Sequence, residues 1–105
     1  MIVYVVNINI RKEIEKEWLS WMKEKHIPEI MSLKIFTKNK IFKIFYPKSE
    51  NENYNSYCIK YYTNSLTDYN LYNKKYAVEI QKKHSIKYKD LFTAKRKILE
   101  LINEY

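Results

Sequence analysis

The sequence predicts one small α+β domain, and three features of the chain indicate it. A length of 105 residues fits a single domain, spanning residues 1–105. Residues 2–10 and 54–63 alternate in the manner of strands. Residues 11–25 and 65–83 repeat apolar side chains at the helical period. These segments follow one another as strand, helix, strand and helix, which predicts a sheet packed against helices.

The first predicted strand has apolar residues on both faces. One face carries Ile2, Tyr4, Val6, Ile8 and Ile10. The other begins with Val3 and Val5 and turns polar at Asn7 and Asn9. A strand that is apolar on both sides needs a second layer, and so short a chain has few elements to supply one. A partner subunit is therefore a plausible source of that layer.

The strongest predicted helix covers residues 11–25. Its apolar stripe is formed by Ile14, Trp18, Trp21 and Met22 together with the aliphatic stem of Lys25. We expect the helix to break at Ile27, because Pro28 disfavours the helical conformation of its predecessor and lacks an N–H donor. Pro28 suits the first position of a short second helical turn that ends near Met31.

A second strand is predicted at residues 34–46, with the polar residues 38–40 indicating a bulge or an exposed edge. Pro47 ends this strand, and the polar residues 48–55 predict a flexible loop. The strand at 54–63 again has two apolar faces. One is formed by Tyr57, Ile59 and Tyr61, and the other by Tyr54, Cys58 and Tyr62.

The predicted helix at 65–83 begins with a capping pattern, in which the Ser65 hydroxyl precedes the Asp68 carboxylate by three residues. The C-terminal segment, from Leu91 to Ile102, fits a helix and a strand equally well. If it is a strand, the element order is βαββαβ, as in ferredoxin-like sandwiches. Such a fold has a four-stranded antiparallel sheet with both helices on one face. The other face is open, and we expect a homodimer to form through it.

The formal charge of +8 suggests nucleic-acid binding, but the composition weakens that interpretation. Arg11 and Arg96 are the only arginines, glycine is absent, and Lys, Asn, Ile and Tyr are abundant, as AT-rich codons would produce. No apolar run is long enough to cross a membrane, and no signal peptide is evident. Cys58 stands alone, which excludes an internal disulfide. We expect a cytoplasmic protein.

Residues 17–30, EWLSWMKEKHIPEI, resemble the EWLxWMxxxHIPE core of a bacterial family known as domain of unknown function 4286. The stretches YCIKYYTNSLTDY at 57–69 and FTAKRKILEL at 92–101 are also similar to that family. The resemblance implies a ferredoxin-like, dimeric α/β-barrel domain, and it makes the C-terminal segment a strand. It implies no established reaction. Near Lys34 and Asp90, where such relatives commonly have glycine, this chain must form turns without it.

The candidate ligand-binding residues are Trp21, His26 and Glu29, at the predicted helix break. Trp18 and Met22 fit a packed core better, whereas Trp21 lies at the edge of the stripe and could contact a flat organic ligand. His26 could exchange protons near neutral pH, or it could cap the helix end. Glu29 could equally bond the free amides of the next turn.

No catalytic residue, metal site or cofactor is predicted. His26, His84 and Cys58 lack the paired spacing of metal ligands, and His84 is interpreted as a solvated cap near a helix end. Glycine-rich phosphate loops are excluded because the chain has no glycine.

Three hypotheses for function follow. The first is a homodimeric α/β-barrel domain that binds a small apolar ligand. The second is a cofactor-independent, monooxygenase-like enzyme with His26 as acid or base. The third is an RNA-binding module that stacks bases on Tyr4, Tyr57 and Tyr61.

Overall fold

The structure, a computed structural model, describes all residues from 1 to 105. The strands are β1 (Ile2–Arg11), β2 (Lys38–Ile44), β3 (Tyr54–Thr63) and β4 (Phe92–Glu100). The helices are α1 (Glu15–Trp21), α2 (Ile27–Ser32), α3 (Leu66–Lys75) and α4 (Ala77–Lys87). A short 3-10 turn precedes α1, and a π-helical turn at Met22–His26 joins α1 to α2.

The four strands form one antiparallel sheet in the order β2-β3-β1-β4. This arrangement confirms the predicted ferredoxin-like α+β fold. The ambiguous C-terminal segment is the strand β4, which pairs with β1 from Ile2↔Glu100 to Ile10↔Phe92. The predicted second strand is shorter than expected, and it lies at an edge of the sheet, as the polar residues 38–40 indicated.

Both helical regions pack on one face of the sheet, which we call the covered face. In β1 this face consists of Ile2, Tyr4, Val6, Ile8 and Ile10, all of which are buried. The Tyr4 ring lies 5.6 Å from that of Tyr72 in α3, and the Tyr57 ring in β3 lies 5.1 Å from that of Trp18 in α1. The main hydrophobic core therefore lies between the sheet and the helices.

The first helical region differs from the prediction, because the chain does not break at Ile27. The π-helical turn at Met22–His26 precedes Pro28, and α2 continues through the proline at its first turn. A proline ring would clash with the carbonyl four residues earlier in a regular α-helix. The wider π turn places that carbonyl differently, so the distortion lies before the proline.

The second helical region begins as predicted, with the Asp68 N–H donating to the Ser65 side-chain oxygen at 3.2 Å. It extends four residues beyond the predicted end and is interrupted at Tyr76, whose backbone φ is −123°. The interruption divides the region into α3 and α4. It also lets α4 carry its own buried residues, Ala77, Ile80 and His84.

The open face of the sheet carries the alternate side chains. Residues directly opposite one another in neighbouring strands share a face, so Val3, Val5, Phe42, Tyr62 and Leu99 lie on it together. Phe42 is 44 % exposed and Leu99 is 39 % exposed. Val5 is buried between two lysines of the neighbouring strands, Lys60 and Lys97. No helix of this structure has the length and apolarity needed to traverse a bilayer.

Candidate functional site

Two histidines from different helical regions meet in the core beneath the helices. His26 ends the π turn and is 7 % exposed, and His84 belongs to α4 and is 5 % exposed. Their ring centroids are 5.7 Å apart. The His84 ring also packs edge-on against Phe92 of β4 at 4.2 Å. The π turn and α4 therefore place both imidazoles against the covered face.

His84 is held uncharged by its surroundings. The Trp18 indole N–H donates to His84 Nε2 at 2.9 Å, so this nitrogen must keep its lone pair free. Burial lowers the pKa of His84 to about 3, and electrostatic repulsion from the neighbouring His26 and from the Arg96 guanidinium acts in the same direction as His84 gains a proton. His84 is therefore a neutral imidazole fixed in one orientation.

His26 is also neutral, but one of its nitrogens has no partner. Its ring stacks on Trp21 with centroids 4.5 Å apart and planes inclined by 21°. Burial lowers the pKa of His26 to about 4, although the Glu29 carboxylate opposes this shift. Its Nδ1 is buried without a hydrogen bond, which costs on the order of 1–3 kcal/mol when nothing satisfies it. This nitrogen has no hydrogen-bond partner within the protein.

A small cavity of about 30 Å³ lies beside both histidines, between the helices and the covered face. Seven of its eleven lining residues are hydrophobic, and Gln81 and Arg96 also line it. The Tyr4 hydroxyl accepts hydrogen bonds from Arg96 Nε at 3.2 Å and from Gln81 Nε2 at 3.5 Å. The volume suits a water molecule, and a larger guest requires side chains to move.

The predicted site residues are only partly brought together. Trp21 and His26 are in contact, whereas Glu29 forms a partly exposed ion pair with Lys83 at 2.7 Å and does not line the cavity. The helical chain continues from His26 into α2 and the His26 side chain makes no capping hydrogen bond, so it does not cap a helix end. Trp18 and Met22 are buried in the core, as expected.

The interpretation of His84 as a solvated cap is wrong, because the residue is buried against Trp18. Two signals could have found the missing members of the site. His84 follows Ile80 by four residues, and Ile80 follows Ala77 by three, so His84 continues the buried stripe of that helix. Arg96 lies two residues from both Ala94 and Ile98, so it shares their face, which is the covered face of β4.

Tyr4, Tyr57 and Tyr61, proposed to stack RNA bases, lie on the covered face rather than the open one. All three are buried, and Tyr4 packs against the rings of Tyr69 and Tyr72. Base stacking needs an exposed ring face, so these tyrosines cannot provide it here. The structure also contains no group of three or more His, Cys, Asp or Glu side chains placed to hold a metal ion.

Solved structures with the same architecture share little sequence with this chain. An "ethyl tert-butyl ether d (ethd) family protein" from Bacillus halodurans matches 97% of this chain and 100% of its own at 16% identity, with a TM-score of 0.63. A "dimeric ferredoxin-like protein" from an uncultured marine organism matches 99% and 97% at 10% identity, with a TM-score of 0.61. At such identities the likeness shows the fold alone.

SnoaB, "a cofactor-independent oxygenase" from Streptomyces nogalater, is a third similar structure. It matches 98% of this chain and 95% of its own at 10% identity, with a TM-score of 0.61. No curated protein matches the sequence. A family profile does match, over residues 1–102, and its description is "Domain of unknown function (DUF4286)". This match confirms the family resemblance that the EWLSWMKEKHIPEI segment indicated, and it extends over nearly the whole chain. The protein therefore belongs to the DUF4286 family.

Proposed function

We propose that this protein is a homodimer in which each subunit binds a small, largely apolar molecule in the cavity beside His26. The unpartnered Nδ1 of His26 is the observation that carries the proposal. A buried polar atom without a partner is rare in proteins, and a ligand that bonds it recovers the cost. The rest of the cavity wall is mainly hydrophobic.

The cavity rim indicates the shape and charge of the ligand. Arg96 is an exposed residue and Gln81 is half-buried, so both can rotate to enlarge the cavity. Arg96 would then face the guest with a cation, while the stacked pair of Trp21 and His26 offers flat walls. A planar molecule with one acidic oxygen satisfies both features. The ion pair between Glu29 and Lys83, whose charges both act on His26, would form the outer boundary.

Intrinsic fluorescence can test this site, because Trp18 and Trp21 are the only tryptophans and each contacts a histidine of the site. Benzoate is a suitable probe, being planar with one carboxylate. We expect saturable quenching that His26→Phe abolishes and Arg96→Met weakens. Arg11→Met is the matched control, because Arg11 lies on the open face and pairs with Glu13. An absence of saturable quenching, or equal effects of the two arginine variants, would contradict the proposal.

The homodimer is supported by the open face and by the fold. Tyr62, Val3 and Leu99 stand side by side in β3, β1 and β4 and form an apolar band on the side that no helix covers, and Phe42 on β2 is a further exposed apolar side chain of this face. Two such sheets can pack face to face about 10 Å apart and remove both bands from water. A similar solved structure is named a dimeric ferredoxin-like protein.

A cofactor-independent enzyme is the second candidate, and the neutral state of His26 favours it. An uncharged imidazole is in the protonation state that a general base requires, although a pKa of about 4 makes His26 a weak base. The similar SnoaB structure is that of a cofactor-independent oxygenase. Phenylpyruvate in D₂O tests proton abstraction, since its benzylic hydrogens exchange measurably by NMR. Faster exchange that His26→Ala removes and Arg11→Met preserves is expected, and a rate unchanged by His26→Ala excludes this role.

A further inference from the structure

A row of hydrogen-bonded polar side chains crosses the open face at one end of the sheet. The Ser56 hydroxyl in β3 donates to Asn9 Oδ1 in β1 at 2.5 Å. Asn9 Nδ2 in turn donates to the Thr93 hydroxyl in β4 at 3.4 Å. This end of the open face therefore differs from the apolar band at Val3 and Leu99, because it presents hydroxyl and amide groups.

Asn7 lies in the next row, and its amide has an unsatisfied oxygen. In register it stands between Cys58 of β3 and Lys95 of β4. Its Oδ1 is buried without a hydrogen-bond partner. An apolar side chain would avoid the cost of desolvating this oxygen, on the order of 1–3 kcal/mol. A donor group from a bound molecule would remove the same cost.

A cavity of about 600 Å³ joins these two rows to the segment between β2 and β3. Only two of its twelve lining residues are hydrophobic. Lys95 from β4 and Lys48 from the connecting segment give it two cations, against the single carboxylate of Glu50. The volume lies in the range of small-molecule sites, and the polar wall distinguishes it from the cavity at His26.

We propose that this second cavity binds a phosphorylated sugar. Lys95 and Lys48 would pair with the phosphate, and a sugar hydroxyl would donate to Asn7 Oδ1. The row of Ser56, Asn9 and Thr93 supplies further partners for hydroxyl groups. All of these side chains belong to one subunit, so the site is complete without a partner and independent of the His26 cavity. They lie at the other end of the open face from Val3 and Leu99, so the proposal requires that a dimer formed through the apolar band leaves this end of the face open to the ligand.

Isothermal titration calorimetry with ribose 5-phosphate tests the site on the wild-type protein. Lys95→Met should weaken binding about tenfold or more, because it removes the charge nearest Asn7. Lys97→Met is the matched control, since Lys97 lies on the same strand and face but outside the cavity, and its effect should be below about twofold. Equal effects of the two variants, or no binding of ribose 5-phosphate at millimolar concentration, would overturn the proposal.

Two further measurements separate the parts of the ligand and guard against misfolding. Inorganic phosphate and ribose should each bind more weakly than ribose 5-phosphate. If inorganic phosphate bound as tightly as ribose 5-phosphate, the cavity would be a simple anion site and the proposal would be overturned. In the wild-type protein the Asn7 side-chain amide signals should shift on titration, whereas those of Asn39, which donates to the Lys60 carbonyl, should not. The reverse pattern would place the ligand elsewhere.

Discussion

The two buried histidines are the residues that make the cavity beneath the helices a candidate site. His26 and His84 occupy positions that hydrophobic residues could fill. Burial is the main cause that lowers the pKa of each and keeps both imidazoles neutral. Only His84 is satisfied, through Trp18. His84 Nε2 has a hydrogen-bond partner and His26 Nδ1 has none, and this difference distinguishes the cavity from ordinary core.

Stability should fall as the pH falls through the range in which only unfolded histidines bind protons. The ordinary histidine pKa is about 6.5, whereas those of His26 and His84 are about 4 and about 3. The unfolded chain therefore binds more protons between these values, and each histidine lowers the free energy of unfolding by up to about 1.4 kcal/mol per pH unit. Below about pH 4 His26 also binds a proton in the folded protein, so its contribution to the pH dependence of the free energy of unfolding ends there.

Urea denaturation between pH 7 and pH 4 measures this slope. His26→Phe should reduce the pH dependence by about half, because one of the two depressed groups is removed. The acidic groups also titrate in this range, and their contribution is subtracted. If the remaining free energy of unfolding of the wild-type protein did not change with pH, the histidines would be solvated in solution.

At the residue scale the sequence indicated Trp21 and His26 but not their partners. Both belong to one conspicuous segment, but five residues of a regular α-helix would turn them roughly 140° apart. The π-helical turn at Met22–His26 brings their rings into contact. His84 and Arg96 reach the site from α4 and β4, and only the packing of distant elements brings them there. Their contribution depends on tertiary structure, which a local pattern does not encode.

At the scale of elements, two turns show how a chain without glycine forms a compact fold. Lys34 and Asp90 adopt left-handed conformations, with φ of 63° and 64°. These are the two turns in which the family resemblance led us to expect unusual geometry. A left-handed residue with a side chain costs roughly 1–2 kcal/mol relative to glycine, although aspartate tolerates the region better than lysine.

Glycine substitution should therefore stabilise these turns. Lys34→Gly should raise the free energy of unfolding by about 1 kcal/mol and Asp90→Gly by less, after the entropy of the unfolded glycine is included. Thermal denaturation measures both effects. Lys38→Gly is the control, because a glycine in a strand should be destabilising. If Lys34→Gly destabilised the protein as much as Lys38→Gly did, the left-handed geometry would not be present in solution.

Element types were predictable from the sequence, but two features were not. The C-terminal segment could not be assigned from its periodicity because β4 is an edge strand whose residues from Lys95 to Glu100 are all exposed. Without a buried face, a strand shows no alternation. The course of the chain at Pro28 was missed because a π turn has no recognisable signature in the residues that form it.

At the scale of the whole molecule, the open face combines an apolar band with a strong positive charge. Its strand positions include five lysines (Lys38, Lys40, Lys60, Lys95 and Lys97) and no carboxylate. Two copies that meet through this face bring like charges together, so the apolar contacts must outweigh their repulsion. The alternation of apolar rows indicated this face from the sequence, but its charge became evident only when the strands were aligned.

Salt should therefore strengthen the dimer. Raising the salt concentration from about 0.01 M to about 1 M shortens the Debye length from roughly 30 Å to 3 Å and screens the facing lysines. Sedimentation equilibrium should show a dissociation constant that falls as salt is added. A dimer that weakened with salt would have to be held by ion pairs between the subunits, and the strand positions of this face carry no carboxylate to form them.

Light scattering coupled to size exclusion tests the pairing of the two open faces most directly. The account predicts a dimer for the wild-type protein, a monomer for Val3→Glu, which buries a charge in the apolar band, and a dimer for Val78→Glu, whose side chain is exposed on α4. A wild-type protein that is monomeric at micromolar concentration, or a Val3→Glu variant that remains a dimer, would contradict it.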